Sequence, residues 1–286
     1  MRELKKRFFD LIDSLREFLW VAHLAIPEFP VRRRKLTVPV IASVTSYPPR
    51  IDKSWLAIET LLRQSVQPEK LILVLNEEEF PDRNLPGKIR RQVRRGLHIL
   101  WVERNGKSYD KLLPARREFP GRTIVTFDDD KFFPKTLLNS LYQASLSHPG
   151  AVIGSRGWII SDASDGLHYG TNWRRARPGE TGRNLMTPGG NGCLYPQASL
   201  DPIVDNLEKA LQTCPTADDI WFWGSIQKAD SIIFCLGMPP HRPVKALSSG
   251  VALSKANETM NDVQFQKVMD TFGIREKFEN SIRDVR

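Results

Sequence analysis

Asp128, Asp129 and Asp130 stand together at the end of an apolar run, Arg122 to Phe127, that reads as a β-strand. Three adjacent carboxylates repel one another, and a divalent cation among them relieves the repulsion. Mg²⁺ and Mn²⁺ take oxygen ligands and are often shared with a diphosphate. Side-chain alternation along a strand predicts Asp128 and Asp130 on one side and Asp129 on the other. The competing reading is helix capping, with Asp130 and its neighbours stabilising a helix entered at Pro134. One aspartate would suffice for that, so metal and nucleotide binding is favoured.

A second acidic pair, Asp218 and Asp219, opens a helical stretch carrying Trp221, Phe222 and Trp223. Neighbouring carboxylates raise each other's pKa and nearby aromatic rings desolvate them, which moves a weak base toward useful strength. Thr216 with Asp219 three residues later also matches a capping box. In the run Val44 to Ile51, Thr45 and Ser46 offer hydroxyls, Tyr47 an aromatic face and Arg50 a fork suited to phosphate. A Pro-Pro turn with Asp52 capping the next helix explains the same residues. Gly189, Gly190 and Gly192 allow close backbone approach to a ligand, and Asn191 can donate and accept hydrogen bonds; a tight turn accounts for the glycines equally well.

The elements that would position these groups alternate. Val38 to Thr45, Lys70 to Asn76, Leu97 to Glu103, Arg122 to Phe127 and Ala151 to Gly154 read as strands. Ser54 to Gln64, Tyr109 to Glu118 and Pro134 to Ser147 read as helices. Residues 156 to 192 show little periodicity and read as a loop region. Helices over Ser199 to Gln212 and Asp219 to Lys228, a strand over Ser231 to Leu236 and a helix near Asp262 to Phe272 follow. The expected fold class is α/β, with a mixed sheet flanked by helices and a loop-rich second lobe. The expected division is an N-terminal amphipathic helix and basic linker over 1–35, a main domain over 36–250 and a helical tail over 251–286.

The chain has 286 residues, 41% hydrophobic and 26% charged, the composition of a folded globular protein and not of a disordered one. Three cysteines are too few for a disulfide framework and favour a cytoplasmic setting. No apolar run approaches the roughly 20 residues of a membrane span. The net charge of +9 suggests polyanionic partners, but no nucleic-acid-binding module is present and none is expected as a partner. Residues 4 to 26 place Leu4, Phe8, Leu11, Ile12, Leu15, Phe18, Leu19 and Ala22 at helical spacing. That helix could dock on its own domain, lie peripherally on an anionic membrane, or form a homo-oligomer contact.

The strand-loop Val44-Thr45-Ser46-Tyr47-Pro48-Pro49-Arg50-Ile51, the strand end Phe127-Asp128-Asp129-Asp130, the later Gly189-Gly190-Asn191-Gly192 and Ala217-Asp218-Asp219-Ile220-Trp221 occur in an order that resembles glycosyltransferases of the GT-A fold. These carry a DxD-type motif and are here family 2-like; the resemblance covers about residues 38 to 235. It implies a nucleotide sugar, with a UDP-sugar favoured, held by Thr45, Ser46, Tyr47, Arg50, Lys111, Asp128 and Asp129. Lys107 and Asp110 lie beside Lys111, for which a plain surface lysine is the alternative reading. It further implies Mn²⁺ or Mg²⁺ on Asp130 and Asp128, with His241 as a third ligand from the C-terminal segment; a plain loop histidine is the alternative. Asp219, with Asp218 in reserve, would be the base of an inverting transfer. Gly190, Asn191, Trp221 and Trp223 would lie on the acceptor side, joined by Trp158 and Trp173, with a core position the alternative for each tryptophan.

The expected activity is transfer of a hexosyl or N-acetylhexosaminyl group to a growing glycan or glycolipid, at the inner membrane face or in the cytoplasm. A nucleotidyltransferase shares the strand pattern and the carboxylate-held metal but needs a glycine-rich loop after the first strand, where Tyr47-Pro48-Pro49 stands. A basic module for nucleic acid or anionic lipid is the non-enzymatic rival.

Overall fold

In the computed structural model, which describes residues 18–26, 33–162, 166–238 and 253–283, an eight-stranded mixed sheet forms the centre of the chain. Numbered in chain order, the strands are β1 (Arg34–Lys35), β2 (Val40–Thr45), β3 (Val66–Gln67), β4 (Lys70–Asn76), β5 (Leu97–Val102), β6 (Thr123–Phe127), β7 (Val152–Gly154), β8 (Trp158–Ile159), β9 (Arg174–Arg175), β10 (Thr181–Gly182), β11 (Leu185–Met186), β12 (Asn191–Tyr195) and β13 (Ile233–Cys235). The large sheet runs β10-β13-β7-β12-β6-β2-β4-β5; β11-β8-β9 make a small sheet, and β1 pairs with β3. The helices are α1 (residues 18–25), α2 (Pro48–Leu62), α3 (Gly87–Val93), α4 (Leu113–Glu118), α5 (Leu137–Ser147), α6 (Leu207–Thr213), α7 (Asp218–Lys228), α8 (Leu253–Phe272) and α9 (Arg275–Arg283).

The register decides which side chains can meet. β2, β4, β5 and β6 are mutually parallel, with Val44 opposite Phe127, Thr45 opposite Val74 and Asn76 opposite Val102. Their carboxyl ends therefore open on one edge, where ligands collect in open α/β sheets. β12 runs antiparallel between β6 and β7, with Asn191 opposite Phe127. Its leading residues, Gly189 and Gly190, consequently sit at that same edge, and so does the end of β7.

Both faces of the sheet are covered, so the central strands are apolar on alternate sides. Val40, Ala42 and Val44 pack toward α2 and α5, with Trp55, Ile58, Leu138 and Leu141. Ile41, Ile72 and Ile124 face the opposite layer with Tyr109, Leu113, Trp221 and Phe265. There α7 lies on α8, and Gly224 makes the approach close: a Cβ on it would stand 2.4 Å from Val268 Cγ1. Phe265, Val268, Met269, Phe272 and Phe278 are all buried, so the C-terminal helices belong to the core of the sheet's second face.

Several expectations change. β12 lies in the middle of the sheet where no strand is expected, the loop region of the sequence reading ending at its second residue, Gly192. The helix expected over Ser199 to Gln212 is broken into two short 3₁₀ turns, Gln197–Ser199 and Pro202–Asp205, followed by α6. Asp201 accepts the Ile203 N–H and Asn206 the Lys209 N–H, so the chain restarts twice on its own caps. Of the N-terminal amphipathic helix, residues 1–17 lie outside the described residues. In α1, Phe18 and Leu19 are exposed, whereas Leu24 is buried and Arg63 donates to the carbonyls of Leu24 (3.0 Å) and Ile26 (2.6 Å). This end of the helix docks on its own domain. No helix among the described residues is long and apolar enough to cross a membrane.

Asp110 tests how this packing treats charge. Its carboxylate is buried and accepts the Gly106 N–H at 3.0 Å. Burial raises its pKa from 3.8 to about 7, with the Gly106 bond opposing. The folded state thus holds this proton more tightly than the unfolded chain, and the group's contribution to stability declines as pH rises from about 4 to 7. Asp110→Asn keeps an acceptor for Gly106. We expect it to leave stability unchanged at pH 4 and to raise it at pH 8 by roughly 2–4 kcal/mol, read from urea midpoints at the two pH values.

Candidate functional site

The acidic turn follows β6 directly, and its three carboxylates are shared out among cations of the protein. Asp128 Oδ1 accepts from Lys111 Nζ at 3.0 Å and Oδ2 from Lys131 Nζ. Burial alone would raise its pKa, but the two lysines outweigh it and hold the carboxylate well below its usual range. Asp129 is buried, accepting from Ser46 Oγ at 2.6 Å and from Arg50 Nη1 at 2.9 Å. Burial still leaves its pKa raised against those two bonds. Asp130 Oδ2 meets the same Arg50 nitrogen at 3.1 Å, and its Oδ1 is buried with no hydrogen-bond partner.

The expected pairing of Asp128 with Asp130 is therefore replaced by Asp129 with Asp130 on Arg50. The pleat ends at Phe127 and the chain turns at Asp129–Asp130, so strand alternation no longer applies. The capping alternative also fails, because α5 begins at Leu137 behind Thr136 with no acidic residue in its first turn.

The loop after β2 is anchored on this turn. Helix α2 starts at Pro48 behind Tyr47, so Asp52 lies within the helix and caps nothing. Arg50 lies 5.7 Å from the centre of the half-buried Tyr47 ring. Thr45 Oγ1 is spent on the Val74 carbonyl at 3.1 Å. Lys107 is exposed at the start of a 3₁₀ turn that ends in Lys111.

Lys111 is the centre of the site's electrostatics. Its side chain is 8% exposed, and Nζ lies 3.0 Å from Asp128 and 3.2 Å from Asp218 Oδ2. Burial would lower its pKa, but Asp128, Asp218 and Asp219 raise it well above normal and keep it charged. Asp218 and Asp219 form the first turn of α7, whose Ala217 cap makes no side-chain bond. The capping box does not form, since Thr216 turns to Gln264 and Asp219 Oδ1 instead accepts the Gly189 N–H at 2.8 Å. Burial and then Asp218 raise the Asp219 pKa to about 7, against the lowering pull of Lys111 and the Gly189 bond.

Gly189 and Gly190 are the partition between the two acidic groups. Thr126 Oγ1 donates to the Gly189 carbonyl at 2.6 Å, and the Asp128 N–H donates to the Gly190 carbonyl at 2.9 Å. A Cβ on Gly190 would fall 1.9–2.0 Å from the Asp128 carboxylate atoms. Gly190→Ala must therefore displace Asp128 from Lys111. We expect an overpacking cost of about 1–3 kcal/mol in urea denaturation, with nucleoside-diphosphate binding weakened beyond what that loss explains. Asn191 is buried, its carbonyl accepting from Ser155 Oγ at 2.7 Å, so it supports the partition from below.

The acceptor platform expected at Trp221 and Trp223 is not open to a sugar. Both rings are buried: Trp221 donates to the Val204 carbonyl at 3.1 Å and packs on Phe272, and Trp223 packs on Phe265 and Phe278. Helix α7 is sandwiched between the sheet's second face and α8, so its aromatic residues are core. Trp173 is half-buried, its ring tilted against Tyr169 and edge-on to Phe265. Trp158 stays half-exposed, with the Arg156 guanidinium 5.4 Å from its ring centre. His241 lies outside the described residues. Lys131 and Arg156 escape the sequence reading; Lys131 adjoins the acidic triplet and Arg156 follows a strand, the two signals that could have flagged them.

Among the described residues, no three acidic, His or Cys side chains converge to hold a metal by themselves. The orphaned Asp130 oxygen still fits a cation that arrives with a diphosphate, because Mg²⁺ and Mn²⁺ in such sites need only one or two carboxylates beside phosphate and water.

No family model matches the chain, and no curated protein matches it. Solved structures similar to it include S. aureus TarS residues 1–349 in complex with UDP, at 15% identity and TM-score 0.46, covering 71% of this chain and 59% of that one. TarS 1–349 has 13% identity and TM-score 0.46, covering 84% of this chain and 74% of that one. A further TarS structure has 14% identity and TM-score 0.44, with 71% of this chain and 36% of that one covered. At such TM-scores the likeness carries no functional weight.

Proposed function

We propose that the chain is a glycosyltransferase that moves a sugar from a nucleotide sugar to a glycan or glycolipid acceptor with inversion. One observation supports this above the others: Asp219, with its pKa near 7, sits across the Gly189–Gly190 partition from an acidic strand end that carries its own cations. A base and an anion-handling turn on opposite sides of a glycine partition suit attack on one face of a sugar and departure from the other.

In this reading Arg50 and Lys131 face the diphosphate, and Asp130, through its unpartnered Oδ1, would hold the divalent cation together with phosphate oxygens and water. When bound, that cation neutralises charge on the leaving diphosphate. Tyr47 offers its ring to the base of the nucleotide, and Ser46 and Asp129 fix Arg50. Asp219 takes the acceptor hydroxyl proton as that oxygen bonds to the anomeric carbon. The bond from the anomeric carbon to phosphate breaks, and its electron pair leaves with the nucleoside diphosphate. Lys111 holds Asp128 and Asp218 together, so the two halves of the site keep a fixed spacing.

A melting-temperature panel of UDP-, GDP-, CMP- and TDP-sugars with and without Mn²⁺ tests the reading, since a ligand that binds only the folded state raises apparent stability. One class, with UDP-sugars expected, should raise the melting temperature in the presence of Mn²⁺. A flat panel would contradict the assignment.

A further inference from the structure

Arg156 leaves the sheet at the same edge as the acidic turn but beyond the glycine partition. β7 is parallel to β6 with β12 antiparallel between them, so the end of β7 that leads into Arg156 lies across β12 from the strand end that carries Asp128. The cations assigned to the diphosphate, Arg50 and Lys131, lie on the β6 side. The Arg156 carbonyl accepts from Thr187 Oγ1 at 2.8 Å, and two residues later Gly189 donates to Asp219. Arg156 is thus anchored to the segment that holds the proposed base.

Trp158, beneath the Arg156 guanidinium, pairs across strands with Arg175. Arg174 is neutralised by Glu180 at 2.7 and 2.9 Å and Arg183 by Asp230 at 2.8 Å. Arg156 and Arg175 have no such carboxylate partner among the described residues, and Arg156 Nε is buried without any hydrogen bond. Burial and the neighbouring Arg175 lower the Arg156 pKa, while Asp128 and Asp219 oppose that shift, so the guanidinium lies within electrostatic reach of all three. Arg156 and the exposed Arg175 are guanidinium groups beside an aromatic face that no direct carboxylate contact occupies among the described residues, and each fork matches phosphate or carboxylate oxygens.

We propose that Arg156 and Arg175, with Trp158, form a subsite beside Asp219 for a phosphate or carboxylate carried by the glycan acceptor. This rests on the transferase reading, yet it can fail separately. The full chain would be titrated by calorimetry, at about 150 mM salt to suppress long-range attraction, with trigalacturonate, a glycerol-phosphate trimer and neutral maltotriose. At least one anionic oligomer should bind about tenfold tighter than maltotriose, the scale of one charge-assisted contact; which one does so separates carboxylate from phosphate. The double variant Arg156→Ala, Arg175→Ala should erase that preference while UDP binding with Mn²⁺ persists. Arg177→Ala, on an exposed neighbouring residue, should keep it. Equal binding of all three oligomers by the wild type, or equal loss in Arg177→Ala, overturns the subsite. Loss of UDP binding in the double variant also overturns it and moves the arginines to the donor. Absence of UDP binding in the wild type would refute the transferase reading, while the oligomer preference still reads the subsite by itself.

Discussion

Asp219→Asn should abolish sugar transfer while leaving the fold and nucleotide binding in place. Asparagine keeps an oxygen for the Gly189 N–H, now 2.8 Å from the carboxylate, so the partition stays anchored. It cannot take a proton, and the loss of a general base lowers kcat by about 10²–10⁴. The same carboxylate sets the pH profile of the native chain. With its pKa raised to about 7, Asp219 is protonated and inactive in acid and becomes competent as pH rises through that value. The wild-type rate should therefore climb to a plateau above pH 7, whereas the variant shows no such limb. Retained turnover in the variant would move the base elsewhere.

Lys111→Met should damage both stability and chemistry. The ammonium is the buried contact between Asp128 at 3.0 Å and Asp218 at 3.2 Å, and its removal leaves their carboxylates facing one another without it. Breaking one side of a buried ion pair costs about 3–5 kcal/mol, because the partner's charge remains desolvated. Lys111 also pulls the Asp219 pKa down, so any residual activity should have its midpoint displaced upward. Urea denaturation measures the first effect and a pH–rate profile the second. A loss below about 1 kcal/mol would mean that the lysine behaves as a solvated surface ion.

The parallel half of the fold is legible from its residues because β2, β4 and β6 are buried on both faces and read as continuous apolar runs bounded by breakers. β12 is not legible. Its five residues follow Pro188 and two glycines, and its partners are set by a register no local pattern contains. At the site, the acidic triplet and the pair Asp218–Asp219 announce themselves by type and spacing. Which oxygen faces which cation depends on where the pleat stops, at Phe127, two residues before the turn at Asp129–Asp130. Trp221 and Trp223 mislead for a related reason: the first helical turn after two carboxylates looks solvent-facing until α8, far along the chain, covers it.

Calorimetric titration of UDP into the purified chain, with and without Mn²⁺, tests the central claim most directly, using the wild type and Asp130→Ala. The account predicts heat of binding when UDP and Mn²⁺ are added together, little from Mn²⁺ alone because no three protein ligands converge among the described residues, and its loss in Asp130→Ala. Undiminished UDP binding in Asp130→Ala, or binding indifferent to Mn²⁺, would contradict it.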